Sequence, residues 1–445
     1  MIAPKPHHRS QTSASDVWGS RLASALQTDS RSFDSHRQHS KGIDMTKQRK
    51  NTRSPEGEKR MAKGSDLLHQ FGPPIASDAD LDQMAALITA AKRPLLIFGA
   101  AASRAASRPG LAADMAQFVI RTRIPFLTTQ MGKGTVPESS HLYMGTPALS
   151  EGDYVHEVID KADLIIMIGH DTTEKPPFIM RKGGPEVIHI GDQSPPVEQV
   201  YFPQYQLIGE IGHSLQALGD RLKGKLPNAQ ALLYLREPIL AARATDDSFA
   251  LVNGISEVMT PHDNILVLDN GEYKISVARN YQTNAPNTLL LDNALATMGA
   301  GLPSGIAAAM LYPWHRVMAL CGDGGFEMTV QELETAVRLK LNLVVLILDN
   351  GGWSMISRKQ ASKGFPNFGT TFNNPDFVKL AEAYGAKGTN VETLGELVPA
   401  LEAAFEGRGV HVVEVAIVYS DNKRVLTDKP RSRKAKPTKR LSNLG

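Results

Sequence analysis

Seven short runs rich in Val, Ile and Leu recur along the chain, most of them ending at Gly or Asp, and they constrain the fold more than any other feature. They are Pro94–Ala100, Ala162–Gly169, Glu186–Asp192, Asn264–Asp269, Val317–Cys321, Asn342–Asp349 and His411–Val418. Each is too short for a buried helix and nearly continuous in its apolar character, as a strand covered on both faces must be. Between them lie stretches with helical spacing, at 79–91, 111–122, 301–311, 329–340, 377–384 and 394–405. Strands alternating with helices predict parallel sheets layered between helices. The fold class expected is therefore α/β, with two parallel-sheet, three-layer domains.

The length of 445 residues accommodates both domains with material to spare. Residues 75–225 are expected to form the first, Rossmann-like domain. A polar connection follows at 226–247, and the second domain occupies 248–420. Residues 1–74 are poor in apolar side chains and are expected to be a disordered basic arm. Lys and Arg outnumber Asp and Glu by 13 to 6 over residues 1–65 and by 9 to 2 over the tail 421–445. The overall net charge is only +3, so the body between these ends is acidic. Basic ends on an acidic body read as solvated tails. Aromatics are nearly absent from them, so nucleic acid is not an expected partner. No apolar run approaches the roughly 20 residues of a membrane helix, and the first 65 residues contain no signal-peptide core. A cytoplasmic location without membrane contact is expected. The single cysteine, Cys321, excludes disulfides and multi-cysteine metal sites; it sits in an apolar run and reads as core.

Chemistry concentrates at two run ends. Gly322-Asp323-Gly324-Gly325 follows one buried strand, and Asp349-Asn350-Gly351-Gly352 follows the next. Open α/β sheets bind ligands at the carboxyl ends of their strands. Glycines there let the backbone approach a phosphate. Asp323 and Asn350 offer hard oxygen ligands on neighbouring strand ends, which suits Mg²⁺ completed by phosphate oxygens and water. A diphosphate bridged to the sheet by Mg²⁺ is the reading these residues support. Either motif alone is more often a simple turn, since Gly, Asn and Asp dominate turns; the pairing one helix apart reverses that order.

Gly-Asp-Gly, the 27 positions from Asp323 to Asn350 and the following Asn-Gly-Gly resemble the thiamine-diphosphate fingerprint. The stretch Leu289-Leu-Leu-Asp-Asn-Ala-Leu-Ala-Thr-Met-Gly-Ala-Gly-Leu-Pro-Ser304, with Ser420-Asp-Asn-Lys-Arg-Val-Leu426, is similar to the acetolactate synthase large-subunit family. The resemblance spans residues 75–426, as that family's middle and diphosphate-binding domains. It implies thiamine diphosphate and Mg²⁺ as cofactors, with Asp323, Asn350 and the Gly352 carbonyl on the metal. Gly324 and Gly325 would contact the diphosphate. Met298 would bend the cofactor, the Ala296 carbonyl would accept from its aminopyrimidine, and Met355 would line the same pocket. Asn270, Gly271 and Tyr273 match a loop that lies on the diphosphate. Glu272 stands where relatives carry an amide or imidazole donor. An extra carboxylate there would repel the diphosphate unless bonded elsewhere, so Tyr273 is expected to be the donor.

The implied activity is decarboxylation of pyruvate and transfer of its two-carbon unit to a second 2-keto acid. Alternatives are a non-catalytic or truncated remnant that binds the cofactor, and a subunit of a split 2-keto-acid decarboxylase. In the family the carboxylate that activates the cofactor lies on a separate pyrimidine-binding domain, absent from the pattern here. No catalytic residue is therefore expected from this chain, and a partner chain carrying that domain, or a homo-oligomer, is. Lys359 stands where biosynthetic relatives carry a pocket Trp. Gly169-His-Asp-Thr-Thr-Glu-Lys-Pro-Pro177 replaces an Arg-Phe-Asp-Asp stretch associated with FAD, and Gly99-Ala-Ala-Ala-Ser103 lacks a full dinucleotide glycine pattern, so FAD is not expected.

Overall fold

The computed structural model describes residues 74–417, apart from 148–152, 172, 175, 179, 196–199, 245–248 and 261–263. The expected disordered arm and basic tail, and the Ser420–Leu426 match, lie outside the described residues. The described residues fall within one compact unit.

Two all-parallel sheets carry the fold. The first has order β2-β1-β3-β4-β5, from β1 (Pro94–Phe98), β2 (Phe126–Thr128), β3 (Leu164–Ile168), β4 (Glu186–Gly191) and β5 (Tyr205–Ile208). The second has order β10-β11-β9-β8-β6-β7. Its strands are β6 (Ile265–Leu268), β7 (Leu289–Leu290), β8 (Val317–Gly322), β9 (Leu343–Asp349), β10 (Lys387–Val391) and β11 (Val410–Ala416). Period-2 alternation splits each strand between two cores. In β9, Val344, Leu346 and Leu348 enter one core, and Leu343, Val345 and Ile347 the other. In β1, Leu96 and Phe98 face one side and Leu95 and Ile97 the other.

The connection after the first sheet carries secondary structure up to Ala244. It holds a 3-10 turn, Leu233–Leu235, and a helix, Arg236–Ala244, with Leu235 and Ile239 buried against the first sheet's core. The helix expected over 329–340 is shorter, Glu332–Arg338.

Buried polar pairs join the two sheets. Lys133 Nζ lies 2.7 Å from Glu138 Oε2, both side chains essentially unexposed. The same oxygen accepts from Thr283 N–H at 3.1 Å, and Glu138 N–H donates to the Thr283 carbonyl at 3.0 Å. Gly134 sits at φ +77°, and a Cβ there would lie 2.1 Å from the Ala285 carbonyl oxygen. Arg279 Nη2 meets Asp153 Oδ2 at 3.1 Å, again buried. Unpaired, such charges would be costly.

Candidate functional site

In the second sheet the strand order reverses between β6 and β8, because β7 lies on one side of β6 and β8 on the other. That switch point is where an open α/β sheet leaves a crevice beyond its carboxyl ends. A cavity of about 540 Å³ opens there. Asn270, Gly271, Tyr273, Ala296, Met298, Asp323, Gly324, Gly325, Asn350, Gly352 and Met355 all line it. Residues spread over more than eighty positions are thus brought to one place.

Asp269, at the tip of β6, organises the crevice. Its buried carboxylate accepts from Asn270 N–H at 2.7 Å and from Gly299 and Ala300 N–H at 3.1 Å each, and burial pushes its pKa up. It thereby pins the turn carrying Met298 against the sheet. A Cβ on Gly325 would lie 2.4 Å from Asp269 Oδ2, so glycine is required there for packing. Ala296 in this turn holds a left-handed backbone, φ 49°, a strain that only surrounding structure can maintain.

The Asn270 amide is held at both ends. Nδ2 donates to the Thr297 carbonyl at 2.8 Å, and Oδ1 accepts from Lys274 Nζ at 2.6 Å. Tyr273 presents its ring to the cavity, while its hydroxyl accepts from Gly322 N–H at 2.9 Å and reaches the Leu320 carbonyl at 3.4 Å. The phenol therefore braces β8. Glu272 turns to Arg358, with Oε1 2.5 Å from Nη1. The pair compensates a carboxylate that lines the cavity.

Asp323 and Asn350 converge. Asp323 Oδ2 accepts from Asn350 N–H at 3.2 Å, Gly351 N–H at 2.8 Å and Asn374 Nδ2 at 2.9 Å. Among the described residues Oδ1 accepts only from Gly324 N–H, at 2.8 Å, which leaves a lone pair available. Asn350 donates Nδ2 to Ser354 Oγ, which fixes its amide and leaves Oδ1 as the free end. Negative charge is concentrated nearby: burial raises the pKa of Asp349 and of Glu327, and Asp323 beside each raises it further. Among the described residues no group of three or more His, Cys, Asp or Glu could hold a metal unaided. A cation here would draw on backbone, amide, water and ligand oxygens. Trp353 packs over Gly324, where a Cβ would lie 2.3 Å from the indole, and tilts against Phe372 with ring centroids 4.9 Å apart.

Sequence reasoning missed four groups. Gln130 reaches the cavity from the loop after β2, and Asn293 and Lys274 line it from the second domain. Glu174 stands behind them, accepting from Met131 N–H at 2.9 Å and Asn293 Nδ2 at 2.8 Å. Only the Leu289–Ser304 match could have drawn attention to Asn293; Gln130 and Glu174 carry no local signal.

The first sheet has its own switch point, between β1 and β3. There a Cβ on Gly99 would lie 2.6 Å from the Gly169 carbonyl oxygen, and one on Gly169 2.2 Å from Ala102 N, so these glycines pack against neighbouring backbone. His170, in the adjoining crevice, has its pKa lowered to about 4 by burial and by His189. A larger hollow, about 830 Å³, lies at the amino ends of β1, β3 and β4, the end of a parallel sheet away from ligand crevices.

A family model for "Thiamine pyrophosphate enzyme, C-terminal TPP binding domain" matches residues 269–415, and one for "Thiamine pyrophosphate enzyme, central domain" matches 81–218. The chain belongs to the thiamine pyrophosphate enzyme family. Proteins named as acetolactate synthases are among its relatives. The chain is 27% identical to the acetolactate synthase of Bacillus subtilis (strain 168) over 373 residues, 81% of this chain and 64% of that protein. It is 30% identical over 378 residues to the catabolic acetolactate synthase of Raoultella terrigena, 81% of this chain and 66% of that protein. The "Probable 2-ketoarginine decarboxylase AruI" of Pseudomonas aeruginosa is 30% identical over 340 residues, 74% of this chain and 58% of that protein. The chain thus spans just under two thirds of the length of the curated acetolactate synthases it matches. No helix among the described residues is long and apolar enough to cross a membrane.

Proposed function

We propose that the crevice beyond β6, β8 and β9 holds thiamine diphosphate through Mg²⁺, and that the chain serves acetolactate synthase-type chemistry on 2-keto acids. Asp323 Oδ1, Asn350 Oδ1 and the Gly352 carbonyl are the assigned metal ligands. The convergence of Asp323 and Asn350 on one cavity, each with an oxygen left free, carries the reading. Gly271, Gly324 and Gly325 give the diphosphate close approach to backbone. Met298 and Met355 supply apolar wall for the rings, and the strained turn at Ala296 aims its carbonyl. When bound, thiamine diphosphate supplies an electron sink that stabilises a carbanion derived from a 2-keto acid.

The two glutamates nearest the crevice are committed: Glu272 to Arg358, and Glu174 to Met131 N–H and Asn293. The activating carboxylate is accordingly assigned to a pyrimidine-binding domain presented by a partner chain. Pyruvate as donor, a second 2-keto acid as acceptor and a cytoplasmic setting with branched-chain precursor synthesis complete the proposal. The similarity to a protein named as a 2-ketoarginine decarboxylase favours simple 2-keto-acid decarboxylation as the second reading.

Calorimetric titration of the full chain with thiamine diphosphate tests the site. Binding that appears with Mg²⁺ and disappears with a chelator is expected; no binding under either condition would refute it. Adding a pyrimidine-binding domain and pyruvate then separates the readings, since acetoin recovered after acid treatment marks carboligation and carbon dioxide without it marks decarboxylation.

A further inference from the structure

One part of the crevice is unused by the cofactor assignment. Lys274 is buried, 6% exposed, and an ammonium carries three donors. Two are spent, on Asn270 Oδ1 at 2.6 Å and on the Asp292 carbonyl. The third has no partner among the described residues, and Lys274 lines the cavity. Across from it Gln130, 3% exposed, arrives from the other sheet. Its Oε1 accepts from Asn293 Nδ2 at 3.2 Å, which fixes the amide plane and leaves Nε2, with both its hydrogens, unpartnered among the described residues. Asn293 is fixed in turn by Glu174 at 2.8 Å. Two domains thus deliver donors without a protein acceptor among the described residues to one cavity, one of them charged, where an anionic ligand can meet them.

We propose that Lys274 and Gln130 form the seat for the carboxylate of the 2-keto acid. The inference rests on the reading of the crevice as a thiamine diphosphate site, and adds which of its groups recognise the substrate. A carboxylate has acceptors for all three free N–H groups and a charge matching Lys274. The seat is distinct from the metal end: the charges facing Lys274 are Asp292, Glu174 and Asp269, not Asp323 or Asp349. Asn293 and Glu174 are positioning residues, holding the Gln130 amide in orientation without themselves lining up a free donor.

The test uses the full chain with Mg²⁺ and thiamine diphosphate, measuring the affinities of the cofactor, of pyruvate and of the uncharged amide of pyruvate. Ligand entry is read by the rapid-mixing change in Trp353 emission. The wild type should prefer pyruvate to the amide by about tenfold, the equivalent of one charge-assisted hydrogen bond. Gln130→Ala should erase most of that preference while holding the cofactor within about twofold of wild type; Lys274→Met, which also releases Asn270, should erase it too. Lys274→Arg should restore part of it. Gln130→Ala removes no bond that the fold needs beyond the one from Asn293, so it remains informative if Lys274→Met folds poorly. Unchanged pyruvate affinity in both variants, weakened cofactor binding in place of weakened pyruvate binding, or a cofactor-loaded wild type that takes up no pyruvate would each overturn the seat. A wild type that binds no cofactor strikes the site assignment instead.

Discussion

Replacing Asp323 with Asn isolates the charge that the proposal places on the metal. The isostere can keep its amide oxygen where Oδ2 accepts from Asn350, Gly351 and Asn374. Its NH₂ then falls where Oδ1 accepted from Gly324 N–H and offered a lone pair to the cation. One hydrogen bond is lost, a cost of about 1–3 kcal/mol. Relief of repulsion with Asp349 offsets part of it, since Asp323 helps raise the Asp349 pKa. The unliganded variant should therefore melt within a few degrees of wild type. Ligand at about a hundred times its Kd stabilises the native state by about 2.7 kcal/mol. For a domain of roughly 170 residues that converts to about 5–10 °C. Differential scanning fluorimetry with thiamine diphosphate and Mg²⁺ should show this rise in wild type and none in Asp323→Asn. A variant that keeps the rise, or a wild-type rise that survives a chelator, would refute the reasoning.

Arg358→Ala removes the cation facing Glu272 at the proposed diphosphate end and should weaken thiamine diphosphate binding; Arg358→Ala with Glu272→Gln should recover most of the loss, as calorimetry would show. Gly324→Ala places a methyl 2.3 Å from Trp353, so it should cost about 1–3 kcal/mol in urea denaturation and shift the indole emission. Lys274, facing Asp292, Glu174 and Asp269, is held down to about 8 by burial. Its charge is present below that pH and lost above it, so pyruvate affinity should fall as pH rises through about 8 and stay flat in Lys274→Met. Lys133→Met leaves Glu138 buried without its cation and should lower stability by about 3–5 kcal/mol, read as a lower urea midpoint.

The strands that were legible in the sequence are those buried on both faces. β1, β3, β4, β6, β8, β9 and β11 announce themselves because each residue must be apolar and each run must end at the crevice. β2 and β7 span only three and two residues, too few for any period to register, and β5 is an edge strand with one buried residue in four. β10 is an edge strand, Lys-Gly-Thr-Asn-Val, largely open to solvent and so free of apolar constraint. The same division holds at the crevice. Asp323 and Asn350 were legible because a ligand-approaching backbone needs Gly, Asp and Asn at strand ends. Gln130, Glu174 and Asn374 were not, because tertiary packing alone delivers them. Orientation was the least legible property. Nothing in Asn-Gly-Glu-Tyr distinguishes a phenol that faces a ligand from one that braces β8, and the Glu272 partner lies 86 positions away at Arg358.

The ion pairs seated between the sheets bear on how such chains can be recombined. Gln130 belongs to the half bolted down by Lys133, Glu138 and Asp153, whose counterparts Arg279 and Thr283 sit in the other half. A chimera that exchanged the first half for a relative's would strand these charges and displace one wall of the ligand crevice in the same stroke. Grafts cut inside the helix Arg236–Ala244 should therefore succeed only when the 279–285 segment travels with the new half.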